Sequence, residues 1–133
     1  MLVGHGIDLV QISRIENVYR KFQDQFVDRI LTRDERRKFD RLNQKHQILY
    51  LATRFAGKEA FAKALGIGIG QLAFIDIGIV NKPNGKPEIK LSHRVLAIVS
   101  GLLGRQEMKF HVSLTNTDEN AMASVIIELV KDH

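Results

Sequence analysis

Arg54-Phe55-Ala56-Gly57-Lys58-Glu59-Ala60-Phe61-Ala62-Lys63-Ala64-Leu65-Gly66 reads as the C-terminal half of a helix that begins near Gln44. Successive helical residues turn by about 100°. On that wheel Ile48, Ala52, Phe55 and Ala56 make one apolar stripe, Glu59 falls inside it, and Lys63 follows one turn later. A bare carboxylate on a buried face is unfavourable. Something has to neutralise Glu59: Lys63 at i+4, another cation, or a bound metal. A plain helical ion pair at a frayed end, contributing about 0.2–0.5 kcal/mol, is the simplest account of the helix alone. Arg54 and Lys58, themselves i, i+4 and next to Glu59, shift the balance. Three cations around one carboxylate point to an anionic ligand with a metal between it and the acid.

Upstream, Met1 to Val10 reads as a strand. Val3, His5, Ile7 and Leu9 face one way, and Gly4, Gly6, Asp8 and Val10 the other. The two glycines strip side chains from the face of Asp8, so a ligand or another backbone can come close to the carboxylate. The plainer alternative is that Asp8 opens a turn and caps the next helix. That helix spans about Ser13 to Phe22, with Ile12, Ile15, Val18, Tyr19 and Phe22 as its apolar face. Arg14 and Lys21, seven apart, share one side of its polar face. They are either solvated charge or a docking surface for an acidic partner. A short apolar segment, Phe26 to Leu31, leads to Thr32-Arg33-Asp34-Glu35, a capping box that opens a helix to about Leu42.

Downstream, Gly66, Gly68 and Gly70 end the central helix. This glycine-rich turn follows a helix and precedes none, so it offers no helix N-terminus to a phosphate. Leu72 to Val80 reads as a strand, Asn81-Lys82-Pro83-Asn84-Gly85-Lys86-Pro87 as a hairpin turn with positive φ at Asn-Gly, and Glu88 to Leu91 as the return. Ser92 caps a short helix through Leu103. A second hairpin closes the chain: Phe110, Val112 and Leu114 on one face, His111, Ser113 and Thr115 on the other, a turn within Asn116 to Asn120, and a long strand from Ala121 to Val130. His111 and Ser113 form either a polar ligand wall or an ordinary satisfied surface.

The 133 residues suit one domain, 1–133, with a real core. There is no cysteine, which excludes disulfides and thiolate metal sites. No run approaches the roughly 20 apolar residues of a membrane span, and the N-terminus lacks the basic start and apolar core of a signal peptide. A cytoplasmic protein is the expectation, with no membrane partner. The net charge of +5, from 20 Lys+Arg against 15 Asp+Glu, favours acidic partners. The basic excess is spread out, and no interleaving of aromatic and basic residues of the single-strand-binding kind stands out.

No G-x-S-x-G elbow, H-E-x-x-H or G-x-x-x-x-G-K-[ST] occurs. What remains is two carboxylates on different elements, Asp8 and Glu59, each in a setting that calls for a cation. Carboxylates with few other protein ligands suit Mg²⁺, which keeps several waters and takes further oxygens from substrate phosphates. Arg54, Lys58 and Lys63 would hold those phosphates. The composite reads as a site for transfer at a diphosphate.

Gly6-Ile7-Asp8-Leu9-Val10, the Arg54 to Gly66 stretch, Asn84-Gly85-Lys86-Pro87 and His111-Val112-Ser113-Leu114-Thr115 together resemble the holo-[acyl-carrier-protein] synthase family, the short-chain class of 4′-phosphopantetheinyl transferases. The motifs keep the family's order and span nearly the whole chain. The resemblance implies an α+β fold, a small antiparallel sheet packed with helices around one long central helix. It implies transfer of phosphopantetheine from coenzyme A to a serine of an apo acyl carrier protein, with release of adenosine 3′,5′-bisphosphate. Asp8 and Glu59 match the Mg²⁺-binding acids and, with Lys63 beside the transferring phosphate, the catalytic set. Arg54, Lys58 and Lys63 would contact coenzyme A phosphates. Gly85, Lys86, Pro87, His111 and Ser113 would line the nucleotide groove. Arg14 and Lys21 fall where the family's basic helix faces the acidic carrier. A homotrimer with shared active sites is implied as well. Two positions depart from the family pattern: Asn116 stands where a His is usual and Asn120 where an aromatic is usual, near the expected pocket for the pantetheine arm.

No histidine base is evident beside the two acids. A metal-bound or carboxylate-held water, with Glu59 as helper, is the expected proton acceptor. Two alternatives use the same residues or the same charge: a Mg²⁺-dependent hydrolase of nucleotides or nucleic acid, and a basic nucleic-acid-binding domain. Two acids set among the cations argue against the latter, since phosphate backbones repel carboxylates.

Overall fold

The computed structural model describes residues 1–104 and 106–130, so Arg105 and the last three positions of the expected 1–133 domain lie outside it. In chain order the elements are β1 (Leu2–Gln11), α1 (Ile12–Phe22), α2 (Asp24–Ile30), α3 (Arg33–Asp40), α4 (Gln44–Leu65), β2 (Ile77–Asn81), β3 (Pro87–Leu91), α5 (His93–Leu103), β4 (Met108–Asn116) and β5 (Asn120–Leu129). Two single 3-10 turns, Ile69–Gln71 and Phe74–Asp76, join α4 to β2. Both sheets are antiparallel: β1-β5-β4, and the hairpin β2-β3. The class is α+β, with α4 at its centre.

The ends of α4 are set by local chemistry. The Asn43 side chain accepts a hydrogen bond from the His46 backbone N–H, satisfying one of the free donors of the first turn. At the other end Gly66 takes φ 76°, a left-handed cap that a side chain would disfavour. Between them the expectation of a single apolar stripe is corrected. From Tyr50 to Leu65 the helix is buried on nearly every side, and only Phe55, Glu59 and Lys63 are not. These three stand at i, i+4 and i+8, one line running up the helix. Glu59 therefore sits on the line of α4 that reaches the surface, and its neighbour Lys58 is the charge inside.

The face of β1 that carries Asp8 packs on α4. A Cβ built on Gly6 would lie 2.0 Å from the Ala60 carbonyl oxygen and 2.6 Å from the Ala64 nitrogen; one on Gly4 would lie 2.3 Å from the Ala64 carbonyl oxygen. Backbone meets backbone there, and any side chain would separate the two elements. Asp8 is the next residue along that face. The opposite face of β1 turns outward, leaving Ile7 and Leu9 exposed.

Lys58 and Glu35 are both fully buried. The Lys58 Nζ donates to Glu35 Oε1 at 2.6 Å, to the Ile30 carbonyl at 2.5 Å and to the Phe74 carbonyl at 3.1 Å, using all three protons. Glu35 accepts from the Thr32 N–H through Oε1 and from the Ile79 N–H through Oε2. The expected capping box at Thr32 is present, and its acid doubles as the partner of the buried lysine. Burial pushes the Lys58 pKa down, and the Glu35 carboxylate opposes that shift. One cation thus ties α2, α3, the turn at Phe74 and β2 to the central helix.

Two further expectations are revised, and one segment gains its element. Phe26 to Leu31 is largely helix, because α2 starts at Asp24 after a break at Gln23, which has φ 50°. The strand expected from Leu72 starts at Ile77, because the chain first turns twice. In the β2–β3 turn only Gly85 takes a positive φ, 88°: the Gly85 N–H closes the turn on the Lys82 carbonyl at 2.8 Å, with Pro83 and Asn84 in the middle.

Lys58→Met should lower the unfolding free energy by about 3–5 kcal/mol, because it leaves the Glu35 carboxylate buried without its cation. Urea melts of the variant read this directly. A loss below about 1 kcal/mol would show that the pair is not the tie between these elements.

Candidate active site

Asp8, Glu59 and Lys63 meet where β1 crosses α4. The Lys63 Nζ donates to Asp8 Oδ1 at 3.0 Å and to the Ile7 carbonyl at 3.1 Å. The Asp8 side chain is only 14% exposed, and that of Lys63 is 55% exposed. Glu59 is half-buried. Burial raises its pKa above the ordinary 4.5, the Asp8 charge raises it further, and Lys63 pulls it back. Glu59 thus lies within electrostatic reach of both Asp8 and Lys63.

Among the described residues there is no group of three or more His, Cys, Asp or Glu side chains placed to hold a metal. The pair of carboxylates stands alone. Oxygen-only ligation by two acids that repel each other fits a hard divalent ion such as Mg²⁺, which fills its octahedron with waters and phosphate oxygens. A cation between the acids removes the repulsion that raises Glu59.

The expected phosphate contact of Lys58 is corrected. Its ammonium is enclosed and saturated by three protein acceptors, so nothing of it reaches a ligand surface. Arg54, 7% exposed, is also largely engaged. Its Nε donates to the Ile79 carbonyl at 3.3 Å, Nη1 to Thr53 Oγ1 at 3.2 Å and Nη2 to Asn81 Oδ1 at 2.5 Å. The guanidinium lies 4.1 Å from the Tyr50 ring centroid. Burial pushes the Tyr50 phenol up to about 12, against the pull of Arg54.

Arg54 nevertheless forms part of the wall of an open groove of about 550 Å³, shared with Lys38, His46, Asn81, Gly85, Pro87, Leu114 and Asn116. Two of the expected groove residues, Gly85 and Pro87, lie there. Lys86 sits in the same turn, exposed, with its N–H on Asn84 Oδ1. Lys38 belongs to this wall and was not anticipated, because the Arg36-Arg37-Lys38 run reads as solvated helix surface. Asn116, one of the two departures from the family pattern, lies in the wall as well.

His111 and Ser113 do not line this groove within the chain. They lie on the outward face of β4, on the same side of the sheet as Ile7 and Leu9. His111 Nε2 is 3.1 Å from Glu128 Oε1, which holds that carboxyl below its usual range. His5, on the same face, pairs with Ser124 at 3.3 Å. No histidine stands beside Asp8 and Glu59 in these contacts.

Arg14 and Lys21 are exposed on α1, and part of that helix's expected apolar face is open too: Val18 is 36% and Phe22 46% exposed. Only Ile15 of that face is buried. Val18 and Phe22 instead border a cavity of about 570 Å³ with Gln25, Phe26, Arg29, Ile30, Phe55 and Phe74. Phe55 stacks on Phe74 at 5.3 Å between centroids. Phe55 is also the first residue of the surfacing line of α4, one turn before Glu59.

Known proteins resemble this chain over nearly its whole length. Residues 4–122 match the model of the 4′-phosphopantetheinyl transferase superfamily. A holo-[acyl-carrier-protein] synthase of Geobacillus sp. (strain WCH70) is 43% identical over 129 residues, covering 96% of this chain and 98% of the relative. Among solved structures, the holo-(acyl-carrier-protein) synthase of Bacillus anthracis in complex with CoA (3′,5′-ADP) superposes with a TM-score of 0.80 at 35% identity, covering 98% of this chain and 99% of that one. The Neisseria meningitidis enzyme gives 0.84 at 36% identity, with 96% and 99% covered. Spanned from end to end by such likeness, the chain belongs to the 4′-phosphopantetheinyl transferase superfamily, in its holo-[acyl-carrier-protein] synthase branch.

Proposed function

We propose that this enzyme transfers the 4′-phosphopantetheine of coenzyme A to a serine of an apo acyl carrier protein, with Mg²⁺ bound at Asp8 and Glu59, and releases adenosine 3′,5′-bisphosphate. The observation that carries this reading is the convergence of Asp8, Glu59 and Lys63 at the crossing of β1 and α4. Held by the two carboxylates, Mg²⁺ would neutralise charge on the diphosphate.

The chain's own groups account for the rest. Two Lys63 protons are taken by Asp8 and the Ile7 carbonyl, which leaves the third, on a half-exposed side chain, for a phosphate oxygen. The serine Oγ forms a bond to the phosphorus that carries the pantetheine. The bond from that phosphorus to the bridging oxygen breaks, and the bisphosphate leaves with the electron pair. The serine proton passes to Glu59, directly or through a water held at its carboxylate. Glu59 lies on the line of α4 that reaches the surface, open to such a water. The nucleotide occupies the groove bordered by Arg54, Gly85 and Pro87, with Lys38 and Lys86 as the free cations near it.

The carrier docks on α1. Acidic carrier side chains meet Arg14, Lys21 and Arg29, and an apolar carrier side chain enters the cavity beside Val18, Phe22 and Phe55. Exposed apolar surface with a basic rim fits an acidic helix whose reactive serine must reach Glu59.

Three copies assemble through the outer face of the β1-β5-β4 sheet, where Ile7, Leu9 and Met122 are exposed. Assembly covers that face and brings a neighbour's His111 and Ser113 to the nucleotide site, which one chain alone lacks. All 133 residues act as one catalytic domain in the cytoplasm. No helix among the described residues is long and apolar enough to cross a membrane.

Incubation of the protein with coenzyme A and an apo carrier should add one phosphopantetheine mass to the carrier, only when Mg²⁺ is present. Intact-mass spectrometry reads it. Product formed from coenzyme A without carrier modification would make the protein a hydrolase instead. In the same assay Phe22→Glu should raise the carrier KM about tenfold or more, and an unchanged KM would remove α1 from the docking surface.

Without metal, Glu59→Gln should be more thermally stable than the parent at pH 7–8. Glu59 has its folded pKa raised, so ionisation destabilises the fold above that value. The advantage of the variant shrinks as pH falls through the raised pKa and vanishes below 4.5, where both forms carry a neutral side chain. A variant less stable than the parent at pH 8 would contradict a Glu59 pKa raised by burial and by the Asp8 charge. In light scattering the protein should run at about three times its 15.1 kDa chain mass. Ile7→Glu should give single chains, and a monomeric parent would end the shared-site reading.

A further inference from the structure

The residue that joins the two ends of the proposed site is Asn81, the last of β2. Its side-chain oxygen accepts the Arg54 Nη2 proton at 2.5 Å, and its amide nitrogen donates to the Gly85 carbonyl at 2.8 Å. The amide can lie only one way round, because the opposite orientation would set donor against donor at Arg54 and acceptor against acceptor at Gly85. The turn it reaches is closed internally by Gly85 N–H to the Lys82 carbonyl and by Lys82 N–H to the Lys86 carbonyl, so it moves as one piece. Beyond β2 and β3 themselves, Asn81 is the turn's side-chain link to the helix.

The helical end of the link is rigid. Arg54 is buried, stacked on Tyr50 and bonded to the Ile79 carbonyl and Thr53. Arg54 precedes Glu59 by five residues on α4, a rise of about 7.5 Å along the axis. Beside the anchoring of β2 through Ile79, one hydrogen-bonded path, Gly85–Asn81–Arg54–α4, ties the turn itself to the helix that carries Glu59.

We propose that Asn81 is a positioning residue for coenzyme A. It fixes the 82–86 turn, and with it the nucleotide wall of the groove, at a set distance from Asp8 and Glu59. Arg54 acts in this path as the anchor of the wall, and its charge is spent mainly on protein acceptors. The inference rests on the transferase reading for the identity of the ligand. A purely structural residue would affect carrier and coenzyme A alike. A positioning residue for the nucleotide end affects coenzyme A alone, because the carrier surface on α1 lies elsewhere.

The test pairs calorimetric titration of coenzyme A, without carrier, with steady-state kinetics on Asn81→Ala, Arg54→Lys and the double variant. Asn81→Ala should weaken coenzyme A binding and raise its KM by about five- to tenfold. Its kcat and carrier KM should stay within about twofold of the parent. The double variant should lose no more than the worse single variant, because both break one path. Unchanged coenzyme A affinity in Asn81→Ala, losses that multiply in the double variant, or an equal rise in the carrier KM would each overturn the proposal. A parent protein that binds coenzyme A but modifies no carrier would overturn the transferase reading alone. A parent that binds no coenzyme A would overturn both.

Discussion

The contact of bare backbone between β1 and α4 sets everything else in this molecule. At Gly4 and Gly6 the strand lies against the Ala60 and Ala64 peptide units with no room for a Cβ. Such proximity is open only to glycine on the strand and to small residues on the helix. Its consequence is chemical. The next residue on the same strand face is Asp8, delivered next to Glu59 and Lys63, and a longer separation would leave two ordinary surface acids. The contact also reverses the usual economy of a strand. Ile7 and Leu9, the apolar residues, are turned outward, and the glycine face is the one buried. A strand built this way leaves an apolar sheet face for some other surface to cover.

Charge in this protein is divided between two adjacent helical positions with opposite fates. Lys58 points inward and meets Glu35 in a fully enclosed pair with every proton satisfied. Glu59 points outward along the line Phe55–Glu59–Lys63 and is left with an unresolved repulsion toward Asp8. Satisfied buried charge rigidifies, because any movement breaks several strong hydrogen bonds at once. Unsatisfied half-buried charge awaits a ligand. The rotation of about 100° between neighbours on a helix is enough to place a structural anchor and a binding group side by side. The anchor also reaches toward the other cavity, since the carbonyls of Ile30 and Phe74, both on its wall, are held by the Lys58 ammonium.

Much of this was legible in the residues. The capping box at Thr32, the existence of a hairpin between Asn81 and Pro87, the long helix ending at Gly66 and the glycine-cleared face of Asp8 are local signals, and local signals survive folding. The errors on α4 share one cause. A helix packed on several sides has no apolar face to find, so the wheel misassigned Glu59 to the buried stripe. The same blindness made Lys58 a phosphate ligand, because a buried lysine and a ligand-binding lysine look alike until its acceptor is known. Glu35, that acceptor, was read only as a cap. His111 and Ser113 were placed correctly on one strand face, but which side of the sheet met the groove depended on tertiary packing. Asn81 carried no signal at all, since an asparagine before a turn is ordinary and its reach to Arg54 spans 27 residues.

Within one chain, Arg54, Gly85 and Pro87 lie in the groove while His111 and Ser113 look away from it on the far face of the sheet. No rotation of a side chain carries a residue through a β-sheet, because alternation fixes its face. If both sets serve one nucleotide, they must come from different copies. The exposed Ile7 and Leu9 lie on the same face as His111 and Ser113, so covering the apolar surface and completing the site would be one event. Association would then be a condition of activity, and the glycine face that buries the wrong side of β1 would be its origin.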